Sequence, residues 1–353
     1  MSKTVFNGLI ILTLLAVATA FMLGRGTPST DASPSSLLLP QLEDQVNDVD
    51  WLRVSAGGET IATARRDGTA WVIDEAGAYL ADWDELQGLL SGLASARVIE
   101  PKTRNPDYHG RLGVEDPARP GAAGVLVEFQ PASGLPGVIV GRQAQGREGQ
   151  YLRLVDSDQA MLVDREFDLP RTIRGWIESD VIDIADDEVV EVAITHSSDN
   201  VVVARKVSAD DEDFVLQDVP AGMEPRTEWA VNSLAGGLSN LTAEEVRPAD
   251  EMDWDGAVRY RVVTADGLLV EAQAVSLPAD GDRDEGHWVR LEAGVYTTAL
   301  DSASEEENAA LTTGRAQEVN RRVRGWAYRI PKSTFETMTT AMDGLLEPAV
   351  VEQ

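Results

Sequence analysis

The chain has 353 residues, with 60 acidic against 30 basic side chains, a formal charge of -30 and no cysteine. That charge repels a phosphate backbone over most of the surface, which disfavours nucleic-acid binding. The absence of cysteine excludes disulfides, thiol catalysis, iron–sulfur clusters, cysteine zinc sites and a lipidated amino-terminal Cys. A hydrophobic content of 43% supports a packed core, and the length suits two domains of roughly 100–200 residues.

In chain order, the first predicted element is an apolar run from Thr4 to Leu23 with no charged residue. Twenty helical residues span about 30 Å, the thickness of a bilayer's hydrocarbon. Ala18-Thr19-Ala20 has the small-residue pattern of a signal-peptidase site, so a cleaved signal competes with an anchor. The apolar run continues through Phe21, Met22 and Leu23, which favours an uncleaved signal anchor over residues 1–23. Lys3 on the near side predicts the amino terminus inside and the bulk outside. The expected address is a single-pass protein of the bacterial inner membrane with its C-terminal bulk in the periplasm. Residues 24–43, rich in Pro, Ser and Thr, read as a tether.

Beyond the tether the same order of elements occurs twice, predicting one α+β unit over 44–186 and a second over 187–353. Trp51–Ser55, Thr60–Arg65 and Ala70–Ile73, separated by Gly57-Gly58 and Asp67-Gly68, read as antiparallel hairpins; Val189–His196, Val201–Val207 and Phe214–Leu216 take those parts in the second copy. Each set precedes an amphipathic helix. Leu86, Leu89, Leu90 and Leu93 recur at i, i+3, i+4 and i+7 behind Asp82 and Asp84, and Val231, Leu234, Ala235 and Leu238 do so behind Thr227. Val98 with Pro101 then matches Val246 with Pro248, Val125–Gln130 matches Leu268–Gln273, Tyr151–Leu154 matches Trp288–Leu291, and Arg174-Gly175-Trp176 matches Arg324-Gly325-Trp326. Ser333 to Glu336 reads as a capping box before Phe335, Met338, Met342 and Leu345. The predicted class is α+β, two tandem units of antiparallel sheet with packed helices after an amino-terminal transmembrane helix.

The countable chemistry is mostly negative. The lysines are Lys3, Lys102, Lys206 and Lys332, with no P-loop among them, and His109, His196 and His287 stand in no H-E-x-x-H setting. No G-x-S-x-G elbow or S-x-x-K motif occurs. The expectation is therefore no catalytic residue, no cofactor and no enzyme. Asp280, Asp282 and Asp284 alternate as calcium ligands do, but Glu285 stands where the loop wants Gly and Leu291 where it wants Glu, so a solvated acidic hairpin is the simpler reading. Asp210–Asp213 and Glu305–Glu307 read as charged connections. The tryptophans, Trp176 and Trp326 among them, read as core wedges more readily than as a sugar platform.

The helix from Trp83 to Leu93, the run Ala96–Thr103, the segment Leu112-Gly113-Val114-Glu115-Asp116-Pro117 and the later Gly149–Leu154 resemble the bacterial family known as domain of unknown function 4340. The resemblance implies a membrane-anchored envelope protein, often encoded beside gliding-type ABC transporter components, with no catalytic residues to carry over. The expected function is thus a non-enzymatic accessory of an ABC-type transport system with a permease as partner. An envelope polysaccharide- or calcium-binding module is the alternative, and an envelope hydrolase the second alternative.

Overall fold

Strand alternation and turn chemistry build most of this molecule. A computed structural model describes residues 36–349 except 120, 131–132, 199, 279–284 and 297–302. The first unit is a nine-stranded sheet made of β1 (Trp51–Ala56), β2 (Glu59–Asp67), β3 (Ala70–Ile73), β4 (Tyr79–Leu80), β5 (Val98–Pro101), β6 (Val125–Phe129), β7 (Val138–Gln143), β8 (Gln150–Leu154) and β9 (Ala160–Val163). Its spatial order is β4-β3-β2-β1-β6-β7-β8-β9-β5, and its neighbouring strands are antiparallel.

A short strand, β10 (Asp180–Ile182), leads to the second unit. It contains β11 (Val189–Thr195), β12 (Val201–Arg205), β13 (Val215–Leu216), β14 (Met223–Pro225), β15 (Leu241–Thr242), β16 (Glu245–Pro248), β17 (Val258–Thr264), β18 (Leu268–Leu277), β19 (Gly286–Val295), β20 (Trp326–Ile330) and β21 (Leu346–Pro348). Eight of these form a sheet in the order β13-β12-β11-β17-β18-β19-β20-β16. With β4 set aside, the two orders are the same path traced twice. That identity corrects two of the sequence matches. Leu268–Gln273 lies on β18, the counterpart of β7, whereas Val125–Gln130 belongs with β17. Trp326 opens β20, the counterpart of β9, while Trp176 follows β9 in a 3-10 turn at Ile173–Trp176. Tyr151–Leu154 and Trp288–Leu291 do occupy corresponding strands, β8 and β19.

Each sheet buries one face under its helix. Asp82 caps the helix Trp83–Ser95 by accepting from the Glu85 N–H, and Leu86, Leu89, Leu90 and Leu93 are all buried beneath it, worth about 1.5–3 kcal/mol each. In the second unit Thr227 accepts from the Ala230 N–H, and the α-helix Glu228–Asn232 tightens into a 3-10 stretch, Ser233–Leu238. Gly237 explains the tightening: a Cβ there would come 2.7 Å from the Tyr260 ring, whose hydroxyl donates to the Leu234 carbonyl at 2.6 Å. The expected capping box is unused, because Ser333 lies inside the helix Lys332–Met338, and a break at 339–341 separates that helix from Met342–Leu345. Glu305–Glu307, expected in a loop, belong to the 21-residue helix Ala303–Val323 inserted between β19 and β20.

The units touch through specific groups. Tyr79 meets Trp326 edge-on at 4.9 Å and Tyr328 at 6.0 Å, β10 pairs with β15, and Ala81 bridges Ile177. One continuous cluster of buried side chains runs through both sheets.

The expected transmembrane helix is not among these elements. No helix among the described residues is long and apolar enough to cross a membrane, and residues 1–23, which carried that expectation, lie outside the described residues. The signal anchor and the single-pass inner-membrane, periplasmic placement are withdrawn with it.

Candidate functional site

The sequence-predicted groups do not converge. Asp280, Asp282 and Asp284 lie outside the described residues, and among the described residues no three His, Asp or Glu side chains are grouped to hold a metal. His109 is buried with Nε2 2.9 Å from the Asp158 carbonyl, His196 Nε2 lies 3.3 Å from the Thr340 carbonyl, and His287 stacks on Phe335 at 4.5 Å. Trp176 is fully buried with its indole N–H on the Pro170 carbonyl, and Trp326 packs on Tyr79, so the two form no shared aromatic platform.

The faces turned away from the helices distinguish the two units. In the first, the chain between β5 and β6 folds back over the sheet and buries Val114 against Ile139 and Ala160, with Leu112, Leu126 and Tyr151 around them. Glycines make the close approach possible. A Cβ on Gly141 would lie 2.5 Å from the Leu112 carbonyl oxygen and 2.6 Å from Val114, and one on Gly124 would lie 2.6 Å from the Gly113 carbonyl oxygen. Gly141→Ala is therefore expected to cost about 1–3 kcal/mol, as over-packing does, and to deprotect the Val114 amide in hydrogen exchange. Unchanged exchange at Val114 would mean the segment does not pack where described.

Arg153 on β8 holds this covering segment. The residue is 8% exposed, and its guanidinium donates to the carbonyls of Val114 (2.8 Å) and Ser157 (2.9 Å), with longer bonds to Leu154 and Val155 at 3.4 Å. Burial lowers its pKa, against the charges of Asp158 and Asp116. It remains cationic, and backbone carbonyls rather than a carboxylate satisfy it.

Arg290 on β19 stands at the matched position and does something else. Arg153 faces Ile139 and Ala160 across the sheet, and Arg290 faces Gln273 across the β18 pairing. Nε and Nη2 of Arg290 both donate to the Gln273 side-chain oxygen, at 3.1 and 2.7 Å, and the guanidinium lies 4.7 Å over the Trp254 ring. Among the described residues it makes no ion pair and donates to no backbone carbonyl. It borders a cleft of about 550 Å³ whose other walls include Asp250, Glu271, Glu292, Arg324 and Trp326. The neighbouring charges are mostly committed: Glu271 to Arg259 at 3.0 Å and Glu292 to Arg324 at 2.8 Å.

Two more clefts, of about 540 and 440 Å³, lie on the first unit, and several of their polar groups are already used. Glu75 accepts from Thr63, Arg171 donates to the Ala123 carbonyl, and Lys102 and Arg147 both close on Glu100 at 2.9 Å. The Arg290 cleft is the one of the three with a half-buried cation that, among the described residues, meets neither a carboxylate nor a backbone carbonyl. The match between Tyr151–Leu154 and Trp288–Leu291 was its only trace in the sequence, and it carried no sign that the two arginines differ.

Comparison with known proteins finds no match among curated proteins and no match among solved structures. The accessory role with an ABC-type permease, the polysaccharide- or calcium-binding module and the envelope hydrolase gain no support from these comparisons or from the geometry, and all are set aside. One family profile does match, over residues 71–256, from β3 past β16 and short of β17. Because that match covers more than half of the chain, the protein belongs to the family described as Domain of unknown function (DUF4340).

Proposed function

We propose that this is a non-catalytic binding protein whose ligand seat is the Arg290 cleft and whose ligand presents oxygen acceptors to that guanidinium. One observation carries the reading: at the same sheet position the first unit's arginine donates to four backbone carbonyls, while the second unit's donates to a single side-chain oxygen and leaves Nη1 without a partner among the described residues. A half-buried guanidinium with donors left over forfeits stability that an incoming oxygen can restore. The cleft's volume lies within the range of small-ligand sites, and Trp254 and Gln273 hold the guanidinium in a fixed plane before any ligand arrives.

Saturation-transfer NMR of the full chain with N-methylacetamide, propionate and inorganic phosphate tests this, using Arg290→Met as reference. At least one of the three is expected to receive transfer from the wild type and about 10-fold less from the variant, since a hydrogen bond to a charged group is worth about 1.5–3 kcal/mol. Transfer that ignores Arg290, or none at all, contradicts the reading.

A further inference from the structure

Resting on that reading, we infer that the ligand is an extended peptide segment, bound through its main-chain carbonyl oxygens in the manner in which the first unit binds its own chain. The first unit supplies the template. Arg153 takes the carbonyls of Val114 and Ser157, one from the segment laid across the sheet and one from the tight β8–β9 connection. Among the described residues both sources are missing around Arg290. The connection that lays Val114 over the sheet runs through residues 102–124, whereas its counterpart between β16 and β17 runs only through 249–257. The tight connection at 155–159 is replaced by the long excursion 296–325, which carries the helix Ala303–Val323 away over β18 and β19. The shorter loop still delivers Trp254 to one face of the guanidinium, yet brings it no acceptor. What the second unit lacks at this place is the kind of group that a peptide backbone supplies.

The charge of the walls points the same way. Asp250, Glu271 and Glu292 outnumber Arg290 and Arg324 in a chain of net charge -30, so an anionic ligand meets repulsion that a neutral carbonyl does not. An extended backbone also offers carbonyls at about 3.3 Å per residue along its length.

The probe is the acetylated and amidated pentapeptide with the sequence of residues 111–115, the segment that the first unit lays beside Arg153 and one with no net charge. It is titrated calorimetrically into the full chain, into Arg290→Met and into Arg290→Lys, each variant's fold being checked by its melting temperature. The expected result is saturable binding to the wild type, weakened at least about 10-fold by both substitutions, because Lys keeps the charge but not the planar fork. No peptide binding alongside Arg290-dependent binding of propionate or phosphate would overturn the peptide assignment and leave the binding seat standing. Peptide binding unaffected by either substitution would overturn both.

Discussion

Arg153→Met is expected to lower the free energy of unfolding by about 3–5 kcal/mol, whereas Arg290→Met lowers it by less than about 1 kcal/mol. The estimate for Arg153 counts two strong charge-assisted hydrogen bonds at about 1.5–3 kcal/mol each, together with the desolvated carbonyls left behind. Those carbonyls belong to Val114 and Ser157, and Arg153 itself is buried. Removing the side chain also frees the segment that shields Ile139 and Ala160. Arg290 donates to one partner, Gln273, whose amide is half-buried, and its loss exposes Trp254 without stranding a buried backbone group. Urea titration of both variants at unchanged m-value reads the difference directly. Equal losses would mean that the two arginines do the same structural work.

A second large loss is expected from Trp176→Ala, about 3–5 kcal/mol, as for other fully buried aromatic truncations. Trp176 has no exposed surface, and its indole N–H donates to the Pro170 carbonyl at 3.0 Å. Its own carbonyl accepts from the Asp82 N–H, the residue that caps the helix Trp83–Ser95, and the next residue, Ile177, bridges Ala81. The ring therefore fixes the strip that leads out of the first unit and, through Asp82, the start of that unit's main helix. Trp176→Phe keeps most of the volume but strands the Pro170 carbonyl, so a smaller loss of about 1–2 kcal/mol is expected. An alanine variant within 1 kcal/mol of wild type would show that the strip is held by other contacts.

Much of the framework was legible because it rests on local rules. Leucines at 86, 89, 90 and 93 can share one face only in a helix, and Gly57, Gly58 and Gly68 supply the positive φ that tight hairpin turns require. The helix Ala303–Val323 escaped because its buried side, Thr312, Ala316 and Val323 with Val319 beside them, is made of small or polar residues. A thin stripe of that kind produces little hydrophobic periodicity. The strand β17 escaped for another reason. Arg259 and Arg261 stand on its open face, where they pair with Glu271 and Glu191, so the local pattern looked less like Val125–Gln130 than Leu268–Gln273 did. Only the sheet order resolves which strand is the counterpart. The site itself was illegible because the identity of Arg290 matters less than what is absent around it. Two connections of altered length, far apart in sequence, remove the carbonyls that its partner in the first unit enjoys.

The most direct measurement follows the two arginine side chains together, as Nε–Hε resonances in a proton–nitrogen correlation spectrum of the full chain, while the blocked pentapeptide of residues 111–115 is added. The Arg290 resonance is expected to shift with saturation and the Arg153 resonance to stay in place, since the Arg153 Nε–H already donates to the Val114 carbonyl. An Arg290 resonance that does not move at saturating peptide, or an Arg153 resonance that moves in its stead, would contradict the assignment of the binding seat.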